Sequence, residues 1–323
     1  FFESAIRAMA FLVAKVPAIP FVIGGVCAPL ASRRRNIHWA CVSSAGVVKS
    51  EMKGVDSPPP TFACPSCHIG VPLDARRCAE CGAEWSGLRR DGSPFLDFVL
   101  QNSDETDSSP RWWDSLILPR GPVKQEVFRS PIISFLYERG WRDSFRSAGF
   151  PGIDAEYKLA REYFRQVSPN ASFMDLSCGS GLMVRRFARD RVFKRTVAVD
   201  FSESMLHEVD RRQREDSRIP NFELVRADVA HLPFARATFD AIHSGAALHC
   251  WPRVQDGLAE VFRVLKPGGL FFATTFIRPI PSLPMIQGNQ PYRFFSRDEL
   301  TWLSKSAGFD TDVEVQFRCA ILR

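Results

Sequence analysis

The sequence predicts an α/β fold, a Rossmann-like doubly wound sheet, preceded by a small N-terminal zinc-ribbon-like module. Three observations predict it. Short apolar runs at 172–177, 195–200, 222–226, 239–244 and 270–276 mostly alternate with stretches of helical periodicity, the pattern of parallel strands with crossover helices. The first run leads into MDLSCGSGLM, residues 174–183, an acid followed by small residues. Four cysteines also stand as two C-x2-C pairs with ten residues between them: Cys64, Cys67, Cys78 and Cys81.

The bulk numbers set the frame. A chain of 323 residues, 45% hydrophobic and 24% charged, is long enough for one sizeable core and a smaller module, and too apolar for a disordered polymer. The net charge of +6 is unevenly placed. Residues 1–53 hold seven Lys/Arg against Glu3 and Glu51, so the remaining 270 residues, with 35 basic and 34 acidic side chains, carry only +1. A near-neutral body offers no general electrostatic footprint for nucleic acid. From Ser4 to Ser50 there is no Asp or Glu, while Arg, Ser and small apolar residues abound, which is how a transit peptide reads. A secretory signal or an anchor is the rival reading of the apolar run 16–31. Pro17, Pro20, Pro29 and Gly24-Gly25 make that run too short and too broken for a spanning helix, which needs about 20 residues.

The elements follow in order. Ser57-Pro58-Pro59-Pro60 is a stiff spacer, and residues 61–87 form the compact cysteine module. Four thiolates suit a closed, structural tetrahedral zinc site, each C-x2-C pair chelating from one tight bend; redox pairs or disulfides are the rival. His68 adjoins the cluster but is surplus to it. Residues 88–150 read as a linker, polar at 101–114, and a segment unusually aromatic and basic at 128–150, which reads as ordinary helix packing. From 151 to 323 comes the doubly wound domain. Its first helix, 155–167, places Leu159, Ala160, Tyr163, Phe164 and Val167 on one stripe, and a helix over 253–265 is stopped by Pro267-Gly268-Gly269. The tail TDVEVQFRCAILR is short for two full strands.

The glycine loop reads D-x-S-x-G-x-G on Asp175, Ser177, Gly179 and Gly181; the dinucleotide form fails because position 184 is Val. A Gly-rich turn entering a helix turns backbone N–H groups toward a ligand. Asp200 ends the next strand, where a carboxylate accepts from ribose hydroxyls, and Asp228 follows the third, where it can accept from an adenine amine. FDAIHSGAALHCW and LKPGGLFFATTF supply a fourth strand with its loop and a fifth strand. Taken singly, each acid is as well read as a solvated turn or cap.

This run of five motifs, within residues 60–310, resembles the class I S-adenosylmethionine-dependent methyltransferases. It is most similar to the plant chloroplast methyltransferases of the ubiquinone/menaquinone-biosynthesis methyltransferase-like group, which carry a cysteine module ahead of the catalytic domain. The resemblance implies S-adenosyl-L-methionine as methyl donor, held by Asp175, Ser177, Gly179 and Gly181, by Asp200 with Phe201 and Met205, by Asp228 and Val229, and by Ser244 and Gly245. The glycines would admit the methionine portion, and Asp175 would meet its amino group. Ser177 departs from the superfamily's usual Gly. For residues 128–150 the resemblance implies a helical cap, and ordinary helix packing is an equal reading. The resemblance further implies a plastid location and a small-molecule acceptor of quinone, phenolic or prenyl-lipid type, with peripheral association with plastid lipid, plastoglobules included.

Alignment dominates methyl transfer from a sulfonium, so a dry, well-positioned site is expected. His249, just past the fourth strand, is the candidate catalytic base; the alternative is that it bonds a loop carbonyl or shapes the site. Trp251 can offer its face to a cation or serve as wall packing. His243 inside the strand reads as a satisfied core residue, and Cys178 and Cys250 as small buried hydrophobes. Two other functions fit the motifs: an rRNA guanine methyltransferase whose zinc module grips RNA, disfavoured by the +1 body, and a cofactor-binding scaffold without turnover.

Overall fold

A computed structural model describes residues 62–87, 92–101, 150–278 and 294–323 of the chain. The expected transit peptide, most of the polar linker and the cap segment before Phe150 lie outside the described residues. In chain order the elements are β1 (Trp85–Gly87), β2 (Leu96–Leu100), α1 (Ile153–Tyr163), β3 (Ser172–Leu176), α2 (Val184–Arg189), β4 (Arg195–Asp200), α3 (Glu203–Glu215), β5 (Glu223–Arg226), β6 (Phe239–Ser244), α4 (Val254–Val264), β7 (Leu265–Phe276), α5 (Arg297–Ala307), β8 (Val313–Gln316) and β9 (Cys319–Leu322).

The strands form one nine-stranded sheet in the order β1-β2-β5-β4-β3-β6-β7-β9-β8. Pairing from β2 through to β7 is parallel. The apolar run Val197-Ala198-Val199 shows why: a strand covered by helices on both faces needs no polar alternation. Chain order reverses at β3, so the crevice at the carboxyl ends of β3 and its neighbours is where a doubly wound sheet binds ligands.

Helix α1 runs two residues earlier than its apolar stripe predicts and tightens into a 3-10 turn at Phe164–Gln166. Its stripe packs Phe164 against Phe173, Phe187 and Phe193. Helix α3 begins at Ser202, whose hydroxyl accepts from Met205 N, and α5 begins with a capping box of Ser296 and Glu299. Pro267-Gly268-Gly269 does not follow a gap after α4. Strand β7 starts at Leu265 and carries these residues through an irregularity in its pairing with β6.

Two readings are revised. The C-terminal tail is long enough: β8 and β9, four residues each, form an antiparallel hairpin that pairs with β7. A four-residue strand already makes its ladder bonds when the turn is tight, here with Phe317 at φ 55°. The cysteine module is also not a separate bead followed by linker. Residues 96–100 form β2, which pairs antiparallel with β1 and parallel with β5, so the module extends the main sheet. Its apolar residues Phe62, Val71, Trp85 and Phe98 share one core with Val225, Leu232, Phe234 and Trp251. A module this small cannot bury a sufficient core alone, and merging with a larger one supplies it.

Candidate functional site

The carboxyl ends of adjacent strands β5, β4 and β3 carry Asp228, Asp200 and Asp175. The glycine loop lies between β3 and α2. Gly179 and Gly181 both take positive φ, 55° and 80°, and a Cβ on Gly181 would stand 3.0 Å from Val209 Cγ2, so close packing on α3 as well as backbone twist requires glycine there.

Asp200 joins the loop to α3. Its Oδ2 accepts from Gly179 N at 2.8 Å and its Oδ1 from Ser202 N at 2.8 Å. Burial raises its pKa to about 6, against the opposing pull of those two N–H groups. Each carboxylate oxygen can accept a further bond, so the geometry leaves Asp200 able to receive two hydroxyls. Asp228 Oδ1 accepts from Ala230 N at 2.9 Å. Phe201 follows Asp200 with the Arg226 guanidinium over its ring at 5.7 Å. Met205 is buried on the first turn of α3, and Val229 is buried in the loop after β5.

Asp175 differs from the expectation. It is 1% exposed, and both its oxygens are engaged inside the fold: Oδ1 accepts from His243 Nδ1 at 2.7 Å and Oδ2 from Val184 N at 3.0 Å. It caps the glycine loop's helix from below and does not face the crevice, because its place one residue inside β3 points it into the core. His243 sits between two carboxylates, with Nε2 3.6 Å from Glu156 Oε1. Burial pulls the imidazole down, but Asp175 and Glu156 outweigh it and raise its pKa to about 9, so this is a buried imidazolium. Thr274 extends the chain: its hydroxyl donates to Glu156 Oε1 at 2.9 Å and accepts from Ala246 N at 2.8 Å. Helix α1, β3, β6 and the loop after β6 are thus tied through one ionic cluster.

Ser177 occupies φ 55°, a left-handed conformation that disfavours a side chain by about 1–2 kcal/mol. Its hydroxyl accepts from Trp251 Nε1 at 3.1 Å, a bond worth about 1 kcal/mol that offsets much of the strain. The indole lies against Gly257, where a Cβ would be 2.7 Å from Trp251 Cε3. Trp251 is therefore a wall joining the loops after β3 and β6. His249 lies in a 3-10 turn, Leu248–Cys250, buried, with Nδ1 3.4 Å from Thr275 Oγ1 and its ring edge-on to Phe276. Burial raises the thiol of Cys178 well above its ordinary value and that of Cys250 to about 12, which keeps both protonated and weakly nucleophilic.

Four buried hydroxyls, on Ser93, Ser180, Ser244 and Ser304, have no hydrogen-bond partner among the described residues, and two of them, Ser180 Oγ and Ser244 Oγ, lie at the strand ends. One stands in the glycine loop and the other at the end of β6, next to Gly245. A buried polar atom left unpaired calls for a partner, so the residues present fit a polar ligand at these strand ends.

The four cysteine sulfurs lie within 4.8 Å of one another, with Cys64–Cys81 at 3.6 Å and Cys67–Cys78 at 3.5 Å. A tetrahedron with arms of about 2.3 Å has edges of about 3.8 Å, so the set fits one zinc ion. Cys64 N donates to Ile69 O and Cys78 N to Ala83 O, closing the two bends, with His68 and Gly82 at positive φ. His68 turns away from the sulfurs: its Nε2 is 3.4 Å from Glu260 Oε1.

Sequence reading thus placed the loop and the acids but missed Glu156, Thr274 and the role of His243. Glu156 was visible: it stands on the same helical face as Ala160 and Phe164, an acid on an apolar stripe.

The methyltransferase-domain family profile matches residues 174–273. A chloroplastic methyltransferase of Arabidopsis thaliana is 37% identical over 275 residues, covering 78% of this chain and 74% of the relative. A ubiquinone/menaquinone biosynthesis C-methyltransferase of Cereibacter sphaeroides is 36% identical over 138 residues, 42% of this chain and 54% of that enzyme. The crystal structure of Haemonchus contortus phosphoethanolamine N-methyltransferase 2 with phosphomonomethylethanolamine and S-adenosylhomocysteine is similar in fold, with a TM-score of 0.50, 20% identity, and coverage of 62% of this chain and 46% of that one.

Proposed function

Because the chain belongs to the class I S-adenosylmethionine-dependent methyltransferases, we propose that it transfers the methyl group of S-adenosylmethionine to a small, largely apolar acceptor of quinone, phenolic or prenyl-lipid type inside the chloroplast. The observation that carries the cofactor site is the convergence of the glycine loop, Asp200 and Asp228 at the carboxyl ends of adjacent strands. In this reading Asp200 receives the ribose hydroxyls, and Asp228 with Val229 borders the adenine. Ser180 and Ser244 offer their hydroxyls to the ligand. Asp175 works from behind, setting the helix end that the methionine portion meets.

The acceptor class is supported by the quinone-type relative and by the near-neutral charge of residues 54–323, which gives an RNA duplex nothing to follow. The chloroplast assignment is supported by the Arabidopsis relative and by the acid-free stretch from Ser4 to Ser50. Among the described residues no helix is long and apolar enough to cross a membrane. Contact with plastid lipid is proposed to be peripheral. His249 lies close enough to the rim of β6 and β7 to shape the acceptor's space, and its burial beside Thr275 and Phe276 favours that role over proton transfer. Zinc held by Cys64, Cys67, Cys78 and Cys81, with no open position, would be structural.

The test is incubation of the protein with radiolabelled S-adenosylmethionine and, separately, plastid lipid, RNA and protein fractions. Label in the lipid fraction is the expected outcome. Label confined to RNA or protein would overturn the acceptor class.

A further inference from the structure

We infer that the metal-bound cysteine module positions the adenine-side wall of the cofactor site, so that metal occupancy sets the affinity for S-adenosylmethionine. The inference rests on the reading of Asp228, Val229 and Phe201 as cofactor-side residues.

Three tethers carry it. The first lies at the metal bend itself. Ala63, next to Cys64, donates its N–H to Pro233 O at 3.0 Å, Phe62 bridges Phe234, and Pro65, between Cys64 and Cys67, accepts from His231 Nδ1 at 3.2 Å. The segment 231–234 is the end of the loop that begins at Asp228, where Ala230 N bonds the Asp228 carboxylate and His231 N its carbonyl. The loop is therefore pinned by Asp228 at one end and by the metal bend at the other.

The second tether passes through α4. Glu260 stands 3.4 Å from His68 Nε2, accepts from Leu232 N at 2.8 Å, and pairs with buried Arg263, which donates to Leu232 O and Phe234 O. The third passes through β2. Asp97 pairs with Arg226 at 2.9 Å, and Arg226 donates to Phe201 O at 3.1 Å while covering its ring.

The module's own apolar content is small, and metal coordination supplies folding energy to such modules. With zinc in place, the bend presents Ala63 N and Pro65 O in fixed positions. Without it those groups move, and cofactor binding must order the 228–234 loop at its own expense in free energy.

The test is calorimetric titration of S-adenosylmethionine into the full chain, zinc-loaded and after chelation. Chelation should weaken binding by roughly fivefold or more, the lower end of ordinary couplings between sites. Amide exchange across 228–234 should rise with it. By reciprocity, saturating cofactor should slow zinc loss to a chromogenic chelator and tighten zinc binding by the same factor. Should chelation unfold the chain, Ala63→Pro decides: it removes the N–H bonded to Pro233 while keeping all four thiols, and should retain one zinc yet bind cofactor more weakly. Affinity within about twofold in both comparisons, or a chain that binds no zinc, would overturn the inference. A zinc-loaded chain that binds no cofactor overturns the site reading and this inference together, whereas binding indifferent to the metal overturns this inference alone.

Discussion

The two flanks of the strand ends are held by opposite means. Beneath the glycine loop, Glu156, His243 and Asp175, each 1% exposed, form a buried charged cluster contributed by α1, β6 and β3. Beyond Asp228, the support is an added module whose aromatic residues and backbone press on the loop from outside. The first flank is rigid because a buried charge without its partner is very unfavourable; the second depends on whether a small module stays folded. In the proposed reading, the methionine side of the site is thus fixed by the core, and the adenine side is open to adjustment.

The comparison can be broken most sharply at His243. His243→Leu leaves two buried carboxylates facing each other without a cation and should destabilise the chain by about 3–5 kcal/mol, read as a drop in thermal midpoint. Phe62→Ala strikes the other flank. It empties space between Phe98 and Phe234, rings 5.3 and 5.4 Å away, and should cost about 3 kcal/mol with more rapid amide exchange in β2 and in 231–234.

Two pH dependences separate the flanks further. His243 has its pKa raised from 6.5 to about 9, so its contribution to stability is full below 6.5 and is lost as pH rises through about 9. Thermal midpoints should fall over that window, and His243→Asn should flatten the slope. Asp200 titrates near 6, and its carboxylate is the acceptor form. Cofactor affinity should therefore fall as pH drops below about 6, by up to about tenfold per unit, and Asp200→Asn should lose the dependence along with most of the binding. The smallest effect lies at Ser177. Ser177→Ala keeps the strained Cβ and abandons the Trp251 N–H, costing about 1 kcal/mol, whereas Ser177→Gly relieves the strain and should change denaturation midpoints little.

Much of the domain was legible because its signals are local. The apolar runs became β3 to β6 nearly residue for residue, and β7 with five residues added at its start, since a strand buried on both faces must be largely apolar. The cysteine spacing likewise brought four sulfurs together, since two short bends suffice for that. Asp175 misled because a motif names a residue but not the direction of its side chain. Its partner His243 is 68 positions away, and only the pairing of β3 with β6 brings them together. The C-terminal hairpin misled through length alone.

By itself, then, the sequence determined the alternation of strands and helices, the glycine loop, the acids at the strand ends and the cluster of four cysteines, because periodicity, backbone permissiveness and the spacing of two short bends act over a few residues. Only the tertiary structure decided that a charged cluster underlies the loop and that the module's second strand joins β5. Those facts follow from which strands lie side by side, and strand order is settled by burial of the whole core rather than by any local stretch of chain.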